Sequence, residues 1–349
     1  MAMCVTRSGF LVALAAVVAI PADAASVEIP VVLEGGRLFA TPRVARDGSV
    51  MRLWLDTDGD GFMFSESIRR WALPVIADPK RMAHTWTRLP AFVPSASVPA
   101  PVAREGRLIV FARDDGARRD PILNGFDGQL GASWFQDRTW TFDYRARRLM
   151  LRGPLRDDDG TTVPVRFATG PDGRRIDGGQ YPRVTVVVDG TAHVMSFDTA
   201  ASVALNPAAR DRIDGGLPAL RATSFIRRSL LAAWRSAHPD WPALDDVSVQ
   251  AGMAAIRVPS LRLGSIELGP VWFTTRPGDD VFEDEANLDG KLGASAFSGR
   301  AVTLDYPRAL LACDNTNLSK RHSWVMAPSV GYRRRITGSV WCHICREQR

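Results

Sequence analysis

With 349 residues the chain is longer than a single hydrophobic core usually covers, so two domains or two lobes are the default expectation. Its formal net charge of +6 belongs to the end of the chain, where Lys320, Arg321, Arg333, Arg334, Arg335, Arg346 and Arg349 face Glu347 alone and residues 25–314 are balanced. That balance removes nucleic acid from the expected partners, and cysteines confined to Cys4, Cys313, Cys342 and Cys345 leave the body without a disulfide framework.

In chain order, Arg7, the apolar run from Gly9 to Ile20, Pro21 and the small-x-small triplet Ala22-Asp23-Ala24 predict a signal peptide over 1–24. The run is too short to span a bilayer, which takes about 20 residues. The protein is therefore expected to be exported, periplasmic or secreted, with no integral membrane segment in the mature chain.

The first half, 25–156, contains an alternating apolar strand ending in Leu55-Asp56-Thr57, then a short loop to a helix start nine residues after the Asp, where Ser65 is placed as a cap. Strands are predicted over 107–111 and 139–142. Asp157-Asp158-Asp159-Gly160 marks a polar linker, within 152–165, that opens the second half, 157–314. There a strand over 183–188 turns at Asp189-Gly190, and a second apolar strand ends in Phe197-Asp198-Thr199. A helix start is again expected nine residues after the Asp, as the counterpart of the first-half helix, with Pro207 suited to its first turn. Residues 224–237 set Phe225, Ile226, Leu230, Leu231 and Trp234 at helical spacing before Pro239, so a rim helix is expected to supply the extra length of this half. Strands over 260–263 and 271–275 follow, and the basic stretch 315–349 reads as a disordered tail.

The two halves repeat. Residues 127–144 read DGQLGASWFQDRTWTFDY and residues 289–306 read DGKLGASAFSGRAVTLDY, agreeing at eleven of eighteen positions without a gap. The interval from Asp to this block is 71 residues in the first half and 91 in the second. Together with the strand and turn pattern, this predicts an all-β fold with a few short helices, in two similar lobes related by a pseudo-twofold axis.

A strand ending in Asp-Thr, given twice, points to paired-carboxylate chemistry. Two aspartates about 3 Å apart cannot both ionise, so they share a proton, and the ionised member can take a proton from a water that attacks an amide carbonyl. No metal, cofactor or covalent intermediate is needed.

Those residues resemble the retropepsin-like and pepsin-like aspartic peptidases, especially small bacterial members, as two tandem diverged copies of the half-enzyme. The resemblance covers most of 28–313. It implies a bilobal acid-protease fold, an endopeptidase activity, and a peptide or protein substrate in the inter-lobe cleft of a monomer. By the same resemblance Asp56 and Asp198 are the catalytic pair, and Thr57 and Thr199 bond across the lobe interface. Leu130-Gly131 and Leu292-Gly293 match the hydrophobic-Gly segment that supports each loop.

The family's Gly after Asp-Thr is replaced by Asp58 and Ala200, and Asp58 is expected to bring a third carboxylate to the pair and raise the working pH. No flap tyrosine lies between Asp56 and Asp143; Trp86 is the candidate in its place. These departures keep a second reading open, an inactive fold serving as a peptide- or protein-binding module.

Other patterns compete for the same residues. Asp56-Thr-Asp58-Gly-Asp60-Gly61 matches the start of a calcium loop, with Asp56, Asp58 and Asp60 as ligands, but Ser67 stands where such a loop ends in a bidentate Glu. Cys342 and Cys345, with His322, make a weak zinc or redox pattern. His84, His193 and His238 have no triad partners. Asp127, Asp143, Asp289 and Asp305 read as structural turn residues.

Overall fold

The computed structural model describes residues 26–77, 85–157, 159–214, 216–250, 252–276 and 288–314. The expected signal peptide 1–24, His84, Asp158 and the tail with His322, Cys342 and Cys345 lie outside them. The fold is mostly β with a few short helices, and the described residues all belong to one compact unit, so the two halves are lobes of one body. No helix among the described residues is long and apolar enough to cross a membrane.

In the first lobe the strand Leu53–Leu55 runs parallel to Gly128–Leu130, with Leu55 opposite Leu130. Gly128–Leu130 is flanked on its other side by the antiparallel Phe62–Phe64, which lies parallel to Arg107–Phe111. The second lobe repeats this order. Thr191–Asp198 runs parallel to Gly290–Gly293, with Phe197 opposite Leu292, and Ser224–Ile226 and Val271–Thr274 follow in the same senses. Each Asp-Thr loop is thus held by a parallel central strand whose Leu is fully buried.

A six-stranded sheet joins the lobes in the order Val27–Ile29, Arg148–Arg152, Thr139–Asp143, Ala301–Asp305, Leu310–Cys313, Thr161–Pro164. Its midpoint marks the pseudo-twofold axis. There Thr141 pairs with Thr303, its own counterpart in the repeat, with the two Oγ1 atoms 2.7 Å apart. This twofold order is the bilobal acid-protease fold.

The helix assignments need correction. Phe62 lies six positions after Asp56, but Phe225, the residue in the equivalent strand position, lies twenty-seven positions after Asp198. The extra length of the second half is therefore the segment 202–222, in which Ser202–Ala204 and Leu220–Ala222 form a small sheet around the helix Pro207–Asp214. The amphipathic helix exists as Arg228–Ala237, but it follows its strand just as Ser65–Trp71 follows Phe62–Phe64. It is the counterpart of the first-lobe helix, not an addition. Distance from the Asp was the wrong ruler; strand pairing is the right one. Ser65 opens the first helix without capping it, whereas Asn206 caps the helix from Pro207 by accepting a bond from the Ala209 N–H at 2.9 Å.

Candidate active site

Asp56 and Asp198 lie at the ends of the two equivalent strands and line one cleft of about 530 Å³ between the lobes. Trp54, Ile122 and Leu123 come to this cleft from the first lobe, and Phe225, Met253 and Arg276 from the second.

The loops that carry the aspartates are locked to each other. Thr57 donates its hydroxyl to the Phe197 carbonyl at 2.5 Å, and Thr199 donates to the Leu55 carbonyl at 2.8 Å. In return each hydroxyl accepts the other threonine's backbone N–H, at 3.2 and 3.1 Å. Both side chains are fully buried, so these four bonds have no water to compete with them. The Asp58 N–H donates to Asp56 Oδ1 at 2.9 Å, and the Ala200 N–H to Asp198 Oδ1 at 2.8 Å. The same backbone bond is therefore present in both lobes, with Asp58 after Asp-Thr in one and Ala200 in the other. Gly131 and Gly293 sit where a methyl group has no room: a Cβ would lie 2.2 Å from the Gly59 carbonyl oxygen and 1.7 Å from that of Thr223.

Asp58 does bring a third carboxylate that raises the Asp56 pKa, as expected, but it comes with a counter-ion not foreseen from the sequence. Its carboxylate is buried and turned across the lobe interface, where Oδ2 accepts from Ser196 Oγ at 2.8 Å and from Lys291 Nζ at 2.5 Å. The third carboxylate is therefore matched by a cation. Lys291 Nζ also stands 3.7 Å from Asp198 Oδ2. Burial by itself would lower the Lys291 pKa, but the charges of Asp58 and Asp198 hold it above its ordinary value, so it is charged. Asp56 is pushed well above the usual carboxylate range, first by burial, then by the charges of Asp198 and Asp58, with Lys291 opposing.

Lys291 is the functional-site residue missed in the sequence. It occupies the variable position of DGKLGAS, where the first lobe has Gln129. Two signals could have found it. The chain has only three lysines, Lys80, Lys291 and Lys320, among its 44 basic residues, and this one sits inside an otherwise apolar strand. A charge there needs a buried partner.

The calcium-like spacing does not gather its carboxylates. Asp56 lines the cleft with Asp198, Asp58 binds Lys291, and Asp60 Oδ1 accepts from Arg104 at 2.9 Å and Tyr181 at 3.2 Å. No cluster of three His, Cys, Asp or Glu suited to a metal occurs among the described residues. The four repeated aspartates tie turns together. Asp127 and Asp289 accept the equivalent N–H groups of Arg52 and Val194, and Asp143 and Asp305 accept those of Ala146 and Arg308. Trp86 is buried at the base of the hairpin formed by Ile76–Ala77 and Thr85–Arg88 and does not line the cleft. The tip of that hairpin, 78–84, is outside the described residues.

No protein-family model matches the chain, and no curated protein matches it. Among solved structures, the aspartic proteinase of Irpex lacteus matches 85% of this chain and 99% of its own at 11% identity, with a TM-score of 0.48. Conglutin gamma, a basic 7S globulin of lupine seeds, matches 84% and 96% at 10% identity and a TM-score of 0.46. The basic 7S globulin of soybean matches 84% and 95% at 9% identity and a TM-score of 0.44.

Proposed function

We propose that the cleft binds an extended peptide and hydrolyses it with a water activated between Asp56 and Asp198. The observation that carries this reading is the reciprocal Thr57–Thr199 lock, which fixes two carboxylate-bearing loops face to face on the cleft floor. A pair held this rigidly keeps its spacing when charge develops, which is the requirement for general acid–base catalysis by a shared proton. The leader-like first residues put this activity outside the cytoplasm, in a protein of two lobes meeting near residue 157 and acting as a monomer.

One specific feature favours a second reading, a cleft that binds peptide without cutting it. Lys291 places a cation beside the pair, in the region where the attacking water is needed.

Asparagine at either position separates the two readings. Asp56→Asn or Asp198→Asn alone should lower turnover of a peptide library by at least about a thousandfold, and the double variant little further, because the residues act as one unit. Asp56→Asn should also change stability in a defined direction. The raised pKa of Asp56 means the folded state holds a proton that the unfolded chain has already released, so stability falls as pH rises from the ordinary carboxylate range towards the raised value. Asparagine removes that slope, and urea titrations at several pH values measure it. Wild-type protein that cleaves nothing from about pH 3 to pH 8, while binding peptide as well as its Asn variants do, leaves only the binding reading.

A further inference from the structure

We infer that Lys291 is a positioning residue that divides the roles of the pair, making Asp198 the base and Asp56 the acid; this rests on the peptidase reading of the cleft. The twofold axis offers no such division, since both carboxylates accept the same backbone bond from the residue two positions on. Lys291 breaks the symmetry. Its ammonium group ion-pairs with Asp58 and stands 3.7 Å from Asp198, whereas with Asp56 it forms no ion pair and has only the weaker, longer-range attraction. At the equivalent position of the other lobe, Gln129 has no charge and donates to the Asp60 carbonyl at 2.9 Å.

The other groups around the ammonium do not restore the balance. Asp56 and Asp58 come from the first-lobe loop, and Ser196 and Asp198 from the neighbouring strand. Tyr144 from the shared sheet feels the charge of Asp198, and Tyr306 feels those of Asp58 and Asp56. Burial and those charges keep both phenols neutral. Arg276 and Asp120 line the same cleft.

The chemistry then runs in one direction. Asp198 takes a proton from the water as its oxygen bonds to the carbonyl carbon, and the carbonyl electron pair moves to the oxygen, which takes the proton of Asp56. In collapse the C–N bond breaks, the nitrogen takes the proton from Asp198, and one hydroxyl of the diol returns its proton to Asp56. Both residues end as they began.

Opposite substitutions test this. The Asp58–Lys291 pair is neutral as a whole, so Lys291→Gln leaves a net negative charge near the pair, and Asp58→Asn a net positive one. Lys291→Gln should move both limbs of the pH–rate profile, and the carboxyl titrations read by ¹³C NMR of aspartate-labelled protein, up by about one unit or more. Asp58→Asn should move them down. The double variant D58N/K291Q, neutral again, should return close to wild type, and Lys291→Arg should stay there. Should Lys291→Gln fail to fold, Asp58→Asn and the double variant still carry the sign. Limbs that move the same way in both single variants, or do not move, overturn the proposal. Carboxyl titrations that shift as expected in a protein that cuts no peptide uphold the role of Lys291 in placing the proton and discard the peptidase reading instead.

Discussion

The two lobes share a central strand and differ at its middle position, where the first carries Gln129 and the second Lys291. Gln129 stays within its own lobe, bonded to the Asp60 carbonyl, whereas Lys291 reaches across to Asp58. The loops differ as well. The first lobe passes from Asp56 to its next core strand in a tight turn, and the second inserts a small sheet and a helix over 202–222. A pseudo-twofold backbone thus carries an asymmetric set of charges and walls. The backbone repeat sets where the carboxylates meet, and the positions that differ set how they behave.

The largest expected effect in this comparison is on stability. Breaking the Asp58–Lys291 pair from one side leaves a buried charge without its counter-ion, at a cost of about 3–5 kcal/mol. Lys291→Gln should show a loss of that order in urea unfolding, and Asp58→Asn a smaller one, because Lys291 still has Asp198 at 3.7 Å. D58N/K291Q should recover most of the loss because two amides keep the shape and remove both charges. Gln129→Ala, the matching change in the first lobe, should cost only about 1 kcal/mol, the ordinary value of one hydrogen bond. Equal losses at Gln129 and Lys291 would erase the asymmetry.

Next come the supporting glycines. Gly131→Ala and Gly293→Ala each force a methyl group against backbone, not against a side chain that can swing away. Overpacking of this kind costs about 1–3 kcal/mol, and more where backbone must move. Gly293 has the tighter contact, against the Thr223 carbonyl at the end of the inserted segment, so Gly293→Ala should be the more destabilising. Gly131→Ala presses instead on Gly59, in the loop that carries Asp56, and should lose more activity per unit of lost stability. Urea unfolding and turnover on the same two variants check both orders.

What could be read in advance follows the same division. The Asp-Thr strand ends and the DGxLG strands were legible because they depend on local pattern and on repetition, and the cross-lobe threonines only through the family resemblance. The 162-residue offset of the repeat even fixes Thr141 opposite Thr303 at the axis. Lys291 was not legible as a partner of Asp58, since the contact joins residues 233 positions apart and nothing local to either announces it. The counterpart of the first helix was misplaced for a related reason. Counting residues from the Asp assumes equal loops, and the second lobe has lengthened that very loop. The repulsive charge of Asp58 was legible because the sequence shows the carboxylate, while only the fold shows the ammonium beside it.

The smallest expected effect lies on the axis itself, where the lobes cannot differ. Thr141 and Thr303 face each other across the shared sheet, and their hydroxyls form one bond of 2.7 Å in which either can donate. Each is the other's counterpart in the repeat, so the two single changes to Val should cost nearly the same, about 1 kcal/mol, because each leaves one poorly hydrated hydroxyl without its partner. Replacing both should be close to neutral. Valine has the shape of threonine, favours strands, and makes an apolar pair where the hydroxyl pair stood. A double-mutant cycle then gives a coupling close to the sum of the two single costs. Unequal single costs, by more than a few tenths of a kcal/mol, would show that the asymmetry seen at Lys291 extends through the sheet to the axis.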